Sequence, residues 1–179
     1  MSDLSIVNVV GGGSIGREID LSQTAQDFPE NCVKYDPSSF EAVVIRYENP
    51  KATVMLYSSG KYSLAGAQSV DGAESANQIF TSDIEQMIQS QLSNKVFEVR
   101  YLVATADLGS RIDLNEVMIQ IGIEETEYEP EQFPALFYRP RNTQWLYSIF
   151  ASGKIVINGC QSVEQLKQAY TDIKAELTS

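Results

Sequence analysis

The chain has 179 residues, 43% of them hydrophobic and 21% charged, the proportions of one ordinary globular domain and not of a disordered or collagen-like chain. It has no histidine and only two cysteines, Cys32 and Cys160, so the commonest general base is missing and neither a disulfide framework nor a metal-ligand spacing is available. Thirteen Lys and Arg against 24 Asp and Glu leave a formal charge of −11, which taken globally argues against nucleic acid, because such binding needs cations to displace condensed counterions.

In chain order, Met1 to Leu4 lacks a basic region followed by an apolar run, so no signal peptide is expected. No stretch approaches the roughly 18 to 20 apolar residues of a membrane span. An intracellular, reduced, metal-free protein is the expectation. The first strand is predicted over Ser5–Val10. Gly11-Gly12-Gly13-Ser14-Ile15-Gly16 then fits G-x-G-x-x-G, with Asp36 about twenty residues on. A dinucleotide site would need a full helix after the last glycine and a parallel strand ending at the acid. The helix opening at the N-cap Asp20 is instead cut short by Pro29, and Asp36 precedes Pro37 ahead of its strand. A strand-to-helix loop, mobile at that rim, is the better reading. Strands follow at Phe40–Tyr47, Ala52–Tyr57 and Lys61–Ala67, bounded by Asn, Pro and Ser-Gly turn signals. A helix then carries Val70, Ala73, Asn77, Phe80, Ile84, Met87 and Ile88 mostly at three-and-four spacing.

The same succession returns. A strand over Val96–Ala104 and a helix opening at Asp113 precede strands at Phe133–Arg139, Gln144–Phe150 and Lys154–Cys160. The closing helix places Val163, Leu166, Tyr170, Ile173 and Leu177 on one face. A shift of 93 residues aligns positions 35–70 with 128–163 at 13 identities in 36 ungapped pairs. Chance would give two or three. The chain is therefore read as two repeats, 1–92 and 93–179, forming one pseudo-twofold unit. Strands between helices with hairpin-length links indicate an antiparallel α+β fold.

Period-two alternation sorts the strand residues. Val43 and Ile45 fall opposite Phe40, Ala42, Val44 and Arg46; Ala52, Val54 and Leu56 fall opposite Thr53, Met55 and Tyr57. Two helices per repeat can cover one sheet face, leaving Phe40, Val44, Met55 and Tyr57 on the other, and Phe133, Phe137 and Phe150 beside Arg139 and Lys154 in the second repeat. An apolar sheet face with cationic handles marks a binding surface; a second buried layer or a homodimer interface are the competing readings. A hairpin turning at Glu48-Asn49 would set Phe40 opposite Tyr57, and one turning at Arg141-Asn142 would set Phe133 opposite Phe150, giving one aromatic wedge per repeat. Catalysis has little support: Tyr35-Asp36 and Tyr128-Glu129 sit at Pro turns, Lys61 and Lys154 follow Gly in tight turns, and Trp145 and the cysteines read as core.

Phe40…Arg46, Tyr57-Ser58-Ser59-Gly60-Lys61 and Gly66-Ala67 in one half, with Tyr128-Glu129-Pro130-Glu131-Gln132-Phe133-Pro134 and Phe150-Ala151-Ser152-Gly153-Lys154 in the other, resemble the TATA-box-binding protein family over nearly the whole chain. Without the long N-terminal tail of eukaryotic members, the chain is more similar to archaeal ones. The resemblance implies a saddle: a curved ten-stranded antiparallel sheet, four helices on the convex face, and double-stranded DNA under the concave one. The family is itself the standard illustration of minor-groove wedging, and its kink of about 80° is a magnitude that belongs to the family.

Carried over residue by residue, the resemblance places the wedges on Phe40, Tyr57, Phe133 and Phe150, with Tyr57 departing by a hydroxyl. The phosphate-facing cations fall on Arg46, Lys61, Arg139 and Lys154. The central asparagines fall on Asn8 and Tyr101, so one is lost. The groove-facing threonines fall on Ala65 and Asn158, both changed, and the valines of the groove floor on Val10, Ser63, Val103 and Val156, three of them kept. The acids that dock transcription factor B fall on Glu129 and Glu131, with Gln132 where the family has leucine. The implied function is transcription initiation at A·T-rich promoters, with transcription factor B as direct partner and RNA polymerase as indirect partner. Neither cofactor nor membrane is involved, the location is the cytoplasm at the nucleoid, and a homodimer is an option when DNA is absent. The rival is a specialised paralogue, with relaxed or lost TATA specificity, acting as a protein-interaction module.

Overall fold

The computed structural model describes residues 4–29 and 32–178. Met1 to Asp3, on which most of the N-terminal reading rests, lie outside them. The elements run β1 (Ser5–Ser14), α1 (Leu21–Asp27), β2 (Val33–Asp36), β3 (Phe40–Glu48), β4 (Lys51–Tyr57), β5 (Lys61–Ala67) and α2 (Val70–Met87), then β6 (Val96–Asp107), α3 (Leu114–Ile121), β7 (Thr126–Glu127), β8 (Ala135–Tyr138), β9 (Leu146–Phe150), β10 (Lys154–Cys160) and α4 (Val163–Thr178). The strands form one ten-stranded antiparallel sheet in the order β2-β3-β4-β5-β1-β6-β10-β9-β8-β7. Two compact units divide the described residues: Asn8–Arg100, and residues 101–178 together with 4–7.

In the Asn8–Arg100 unit, Ala52, Val54 and Leu56 of β4 are buried, as are Val43 and Ile45 of β3 and Tyr62 and Leu64 of β5. Ala73, Ala76, Phe80 and Ile84 form the buried face of α2. Two tyrosines tie the sheet to that helix: Tyr47 donates to Asp83 Oδ2 at 2.9 Å, and Tyr62 donates to Asn77 Oδ1. Burial, then the bond to Asp83, pushes the Tyr47 hydroxyl up; burial pushes Tyr62 up to about 12. The other unit buries Leu136, Tyr147, Ile149, Ile155 and Ile157 with Leu166, Ala169 and Ile173 of α4. Here Tyr147 donates to the Ala169 carbonyl at 2.9 Å, and burial raises its hydroxyl and takes the Cys160 thiol up to about 11.

Helix starts fall where the sequence places them. Asp20 accepts from the Gln23 amide at 3.0 Å, and Asp113 from those of Asn115 and Glu116, so each carboxylate satisfies amides that the first helical turn leaves unpaired.

Several expectations are corrected. Gly11–Gly13 are neither loop nor mobile rim: β1 runs to Ser14, and these glycines pair with Leu64, Ser63 and Tyr62 of β5. A Cβ on any of them would collide with a neighbouring side chain, Phe97 at Gly11, Arg100 at Gly12 and Tyr62 at Gly13. β6 likewise continues past Ala104 to Asp107. The edge strands β2 and β7, of four and two residues, are additions to the strands expected from the residues. Both predicted registers are off by two. Glu48 pairs with Lys51, so Pro50, which has no N–H to offer a ladder, takes the turn with Asn49, and Tyr57 faces Ala42. Phe150 faces Ala135, and the loop centres on Asn142, at φ +65°, and Thr143. A slip of two preserves which face each side chain occupies. Finally, Trp145 is half-buried ahead of β9, and Cys32 is half-buried, whereas Cys160 is core.

Candidate nucleic-acid interface

On the sheet face opposite α2, hydrogen-bonded neighbours of the Asn8–Arg100 unit form rows: Ala42 with Tyr57, then Val44–Met55–Ser63–Gly12, then Arg46–Thr53–Ala65. Phe40 lies one step outside the first row. Its ring reaches diagonally to Tyr57, with centroids 6.2 Å apart and planes at 70°, and the two side chains are 46% and 36% exposed. Edge-to-face contact holds both rings without burying either.

The other unit repeats the plan: Ala135 with Phe150, then Phe137–Ser148–Val156–Thr105, then Leu146–Asn158–Val103. Phe133 precedes β8, because its amide bonds to the Glu129 carbonyl at 3.0 Å and not to a ladder. Its ring stands 6.1 Å from Phe150, edge-on, and stacks on Phe137 at 5.5 Å. Phe133 is 46% exposed and Phe150 is half-buried.

Arg46, Lys61, Arg139 and Lys154 are exposed, and among the described residues none joins an ion pair. The two lysines owe their position to one device built twice. Gly60 and Gly153 have φ of +77° and +89°, and their amides close the turns onto Tyr57 and Phe150 at 2.9 Å each. The strand-to-helix loop crosses directly above each glycine: Ile15 bonds to the Gly60 carbonyl at 2.9 Å and Leu108 to that of Gly153 at 3.0 Å. A Cβ at either position would meet the carbonyl of Arg17 or Ser110. The repeated Ser-Gly-Lys is therefore enforced by backbone packing, and the lysine that follows is carried to the sheet edge.

Asn8 accepts the Gly66 amide on its Oδ1 at 2.7 Å, which leaves its NH₂ with two donors to offer. Tyr101, its counterpart, is 36% exposed. Val10, Val103, Val156, Ala65 and Asn158 are half-buried. Glu129 and Glu131 are exposed on the turn entering Phe133, and the Glu129 carboxylate accepts from the Gln132 amide. Each half thus gathers its own wedge pair, cations and floor residues on one face. Residue patterning did not disclose Arg100, which the Gly12 collision places on the face of the first unit, because the gap it fills exists only once β1 and β6 are neighbours.

The family model described as "Transcription factor TFIID (or TATA-binding protein, TBP)" matches residues 3–87 and again 96–179. The chain belongs to the TATA-box-binding protein family. It is 37% identical to TATA-box-binding protein B of Halobacterium salinarum over 98% of this chain and 93% of that one. Against the TATA-box-binding protein of Archaeoglobus fulgidus it is 36% identical over 97% and 94%. The solved structure of TBP from Methanococcus jannaschii superimposes with a TM-score of 0.81 at 35% identity, covering 98% of each chain. The family's two-repeat α+β fold is thus the fold of this chain, and no helix among the described residues is long and apolar enough to cross a membrane.

Proposed function

We propose that the chain is a general transcription initiation factor that binds and bends A·T-rich promoter DNA through the minor groove and recruits transcription factor B, with RNA polymerase following indirectly. The observation that carries this is the aromatic pair repeated in each half, 6.2 and 6.1 Å between centroids and partly exposed, in halves whose cations Arg46, Lys61, Arg139 and Lys154 join no ion pair among the described residues. Aromatic side chains inserted between base steps unstack them at roughly a few kcal/mol each, a cost offset by the surface a bent duplex can wrap. Arg46, Lys61, Arg139 and Lys154 contact phosphates in this reading. Asn8, Val10, Val103 and Val156 meet the groove floor, as do Tyr101 and Asn158 at departed positions. Glu129 and Glu131 dock transcription factor B. The work is binding, not catalysis, at the nucleoid in the cytoplasm.

The second reading, a paralogue of altered or lost TATA specificity, rests on Tyr101 standing where the other repeat has Asn8. Electrophoretic shift and bending with a TATA-containing duplex and with a randomised pool, across salt concentration, separate the two. Selection of bent, A·T-rich complexes is expected; bent complexes without selection favour the paralogue, and no complex at any salt overturns DNA binding. Adding transcription factor B should supershift the wild-type complex, and reversing Glu129 and Glu131 to Lys should abolish the supershift while leaving binary binding intact. A supershift that survives the double reversal overturns the docking role.

A further inference from the structure

In the row Val44–Met55–Ser63–Gly12, the position of a β1 side chain is vacant. Two residues of β5, Ala65 and Gly66, lie opposite one of β1 where the register shifts between Val9 and Gly11. The extra residue therefore belongs to β5, and β1 keeps strict alternation. Val9 is fully buried toward the helices, which leaves Asn8, Val10 and Gly12 on the open face. A Cβ on Gly12 would lie 2.5 Å from Nε and 2.6 Å from Cζ of Arg100. The guanidinium therefore lies flat on the Gly12 backbone, in the floor of the face and not at a turn like Lys61. Arg100 is exposed and joins no ion pair among the described residues. Across the ladder from Gly12, the buried Ser63 Oγ has no hydrogen-bond partner among the described residues, although a hydroxyl so placed usually finds one.

We infer that Arg100, seated on Gly12, reads base edges in the minor groove and rejects G·C at one step of the site. The inference rests on the minor-groove function proposed above. The guanidinium offers only donors, and Asn8 already accepts the Gly66 amide on its Oδ1. A guanidinium so placed matches the minor-groove edge of A·T, where adenine N3 and thymine O2 are both acceptors, and it meets the N2 amino donor of G·C head-on. The narrow A·T groove also concentrates negative potential, which favours an inserted Arg. The other half holds Thr105 at the place of Gly12 and Val156 at that of Ser63. The guanidinium therefore marks one half only.

The test replaces successive A·T pairs of a bound duplex, one at a time, by G·C and by inosine·C, which lacks the N2 amino group, and measures affinity by anisotropy and bending by energy transfer. Wild type should lose about tenfold to G·C at one step, with inosine·C restored to the A·T value there. Arg100→Ala should flatten that step while leaving the bend unchanged. Gly12→Ala should do the same, because its methyl occupies the guanidinium's seat although the charge remains. The thermal midpoint of each variant reports folding, and Arg100→Ala suffices if Gly12→Ala does not fold. An unchanged step profile in Arg100→Ala overturns the inference. So does a uniform loss across all duplexes with a salt slope lowered by about one, which would make Arg100 a phosphate contact. Wild type that neither binds nor bends any duplex would instead refute the minor-groove function itself.

Discussion

The two halves share a frame and differ in how they fill it. In the first, the wedge is a pair, Phe40 against Tyr57, and the middle row is filled by Met55 in β4 and left open at Gly12. In the second, Phe133 is stacked on Phe137 as well as edge-on to Phe150, so the wedge is a three-ring cluster, and the row continues through Ser148, Val156 and Thr105. The frame is what 13 identities in 36 pairs preserve. Gly60 and Gly153 need positive φ and a missing Cβ to let the overlying loop pass, and no other residue meets both demands. The filling is free to diverge, because a partly exposed face tolerates changes in volume that a core does not. Preorganisation thus lies mainly in the second half, and the cation of the floor, Arg100, in the first.

The largest expected effect sharpens that contrast. Removing Phe133 and Phe150 together should cost about 2 kcal/mol, roughly thirtyfold in affinity, and most of the bend contributed at that step. Removing Phe40 and Tyr57 should cost less, since no third ring stacks on them among the described residues and the Tyr57 hydroxyl must be hydrated or paired when inserted. Titration with a bend reporter compares the two double variants. Equal losses would show that the Phe137 stack contributes nothing, and unchanged bending in both would remove this face as the DNA site.

A smaller effect separates the halves at high pH. Tyr47 and Tyr62 in the first half both donate to side chains of α2, while Tyr147 in the second donates to a backbone carbonyl. An exposed tyrosine ionises near pH 10, whereas burial holds Tyr62 up to about 12 and raises the other two. In that window the unfolded chain binds fewer protons than the folded one, so stability is intact below about pH 10 and falls as pH rises from there toward 12. Urea midpoints across pH 8 to 12 should show the decline, and Tyr62→Phe should make it shallower. A flat profile would mean that these hydroxyls reach solvent.

Much of this was legible from residues, for stateable reasons. Face assignment survives because period two is insensitive to a register slip of two, so Phe40, Val44, Arg46, Met55 and Tyr57 fall together whichever turn is chosen. The slip itself arose because proline's missing donor moves the turn to Asn49-Pro50. β7 escaped because two residues, Thr126–Glu127, carry no period. The glycine run reads as a loop because glycine is poor in strands on its own account. Only the arriving side chains of Tyr62, Phe97 and Arg100 give it a reason to be there. Arg100 escaped for the same cause, since what defines its place is the absence of an atom on a neighbouring strand.

The smallest expected effect concerns the cations. Arg46→Ala and Arg139→Ala should each flatten the dependence of log affinity on log salt by about 0.9, one phosphate's worth. Their losses at low salt should differ, however. Arg139 borders a shallow cavity with Glu124, Glu125 and Glu127, where Arg141 already pairs with Glu124 at 3.0 Å and Glu125 at 2.7 Å. The carboxylates bordering that cavity weaken the field that Arg139 presents to a phosphate, although neither it nor Arg46 joins an ion pair among the described residues. Losing Arg46 should therefore cost more than losing Arg139. The same acids make the whole salt curve unusual. At a net charge of −11 the protein repels DNA at long range, and added salt screens that repulsion first, because the Debye length is about 10 Å at 0.1 M while the phosphate contacts act at a few ångströms. Affinity should rise with salt before counterion release takes over and lowers it. Glu124→Gln with Glu127→Gln should lift the low-salt limb and bring the loss from Arg139→Ala up to that from Arg46→Ala. A steady decline from the lowest salt upward would place the acidic residues too far from the duplex to matter, and the two arginines would then be equivalent.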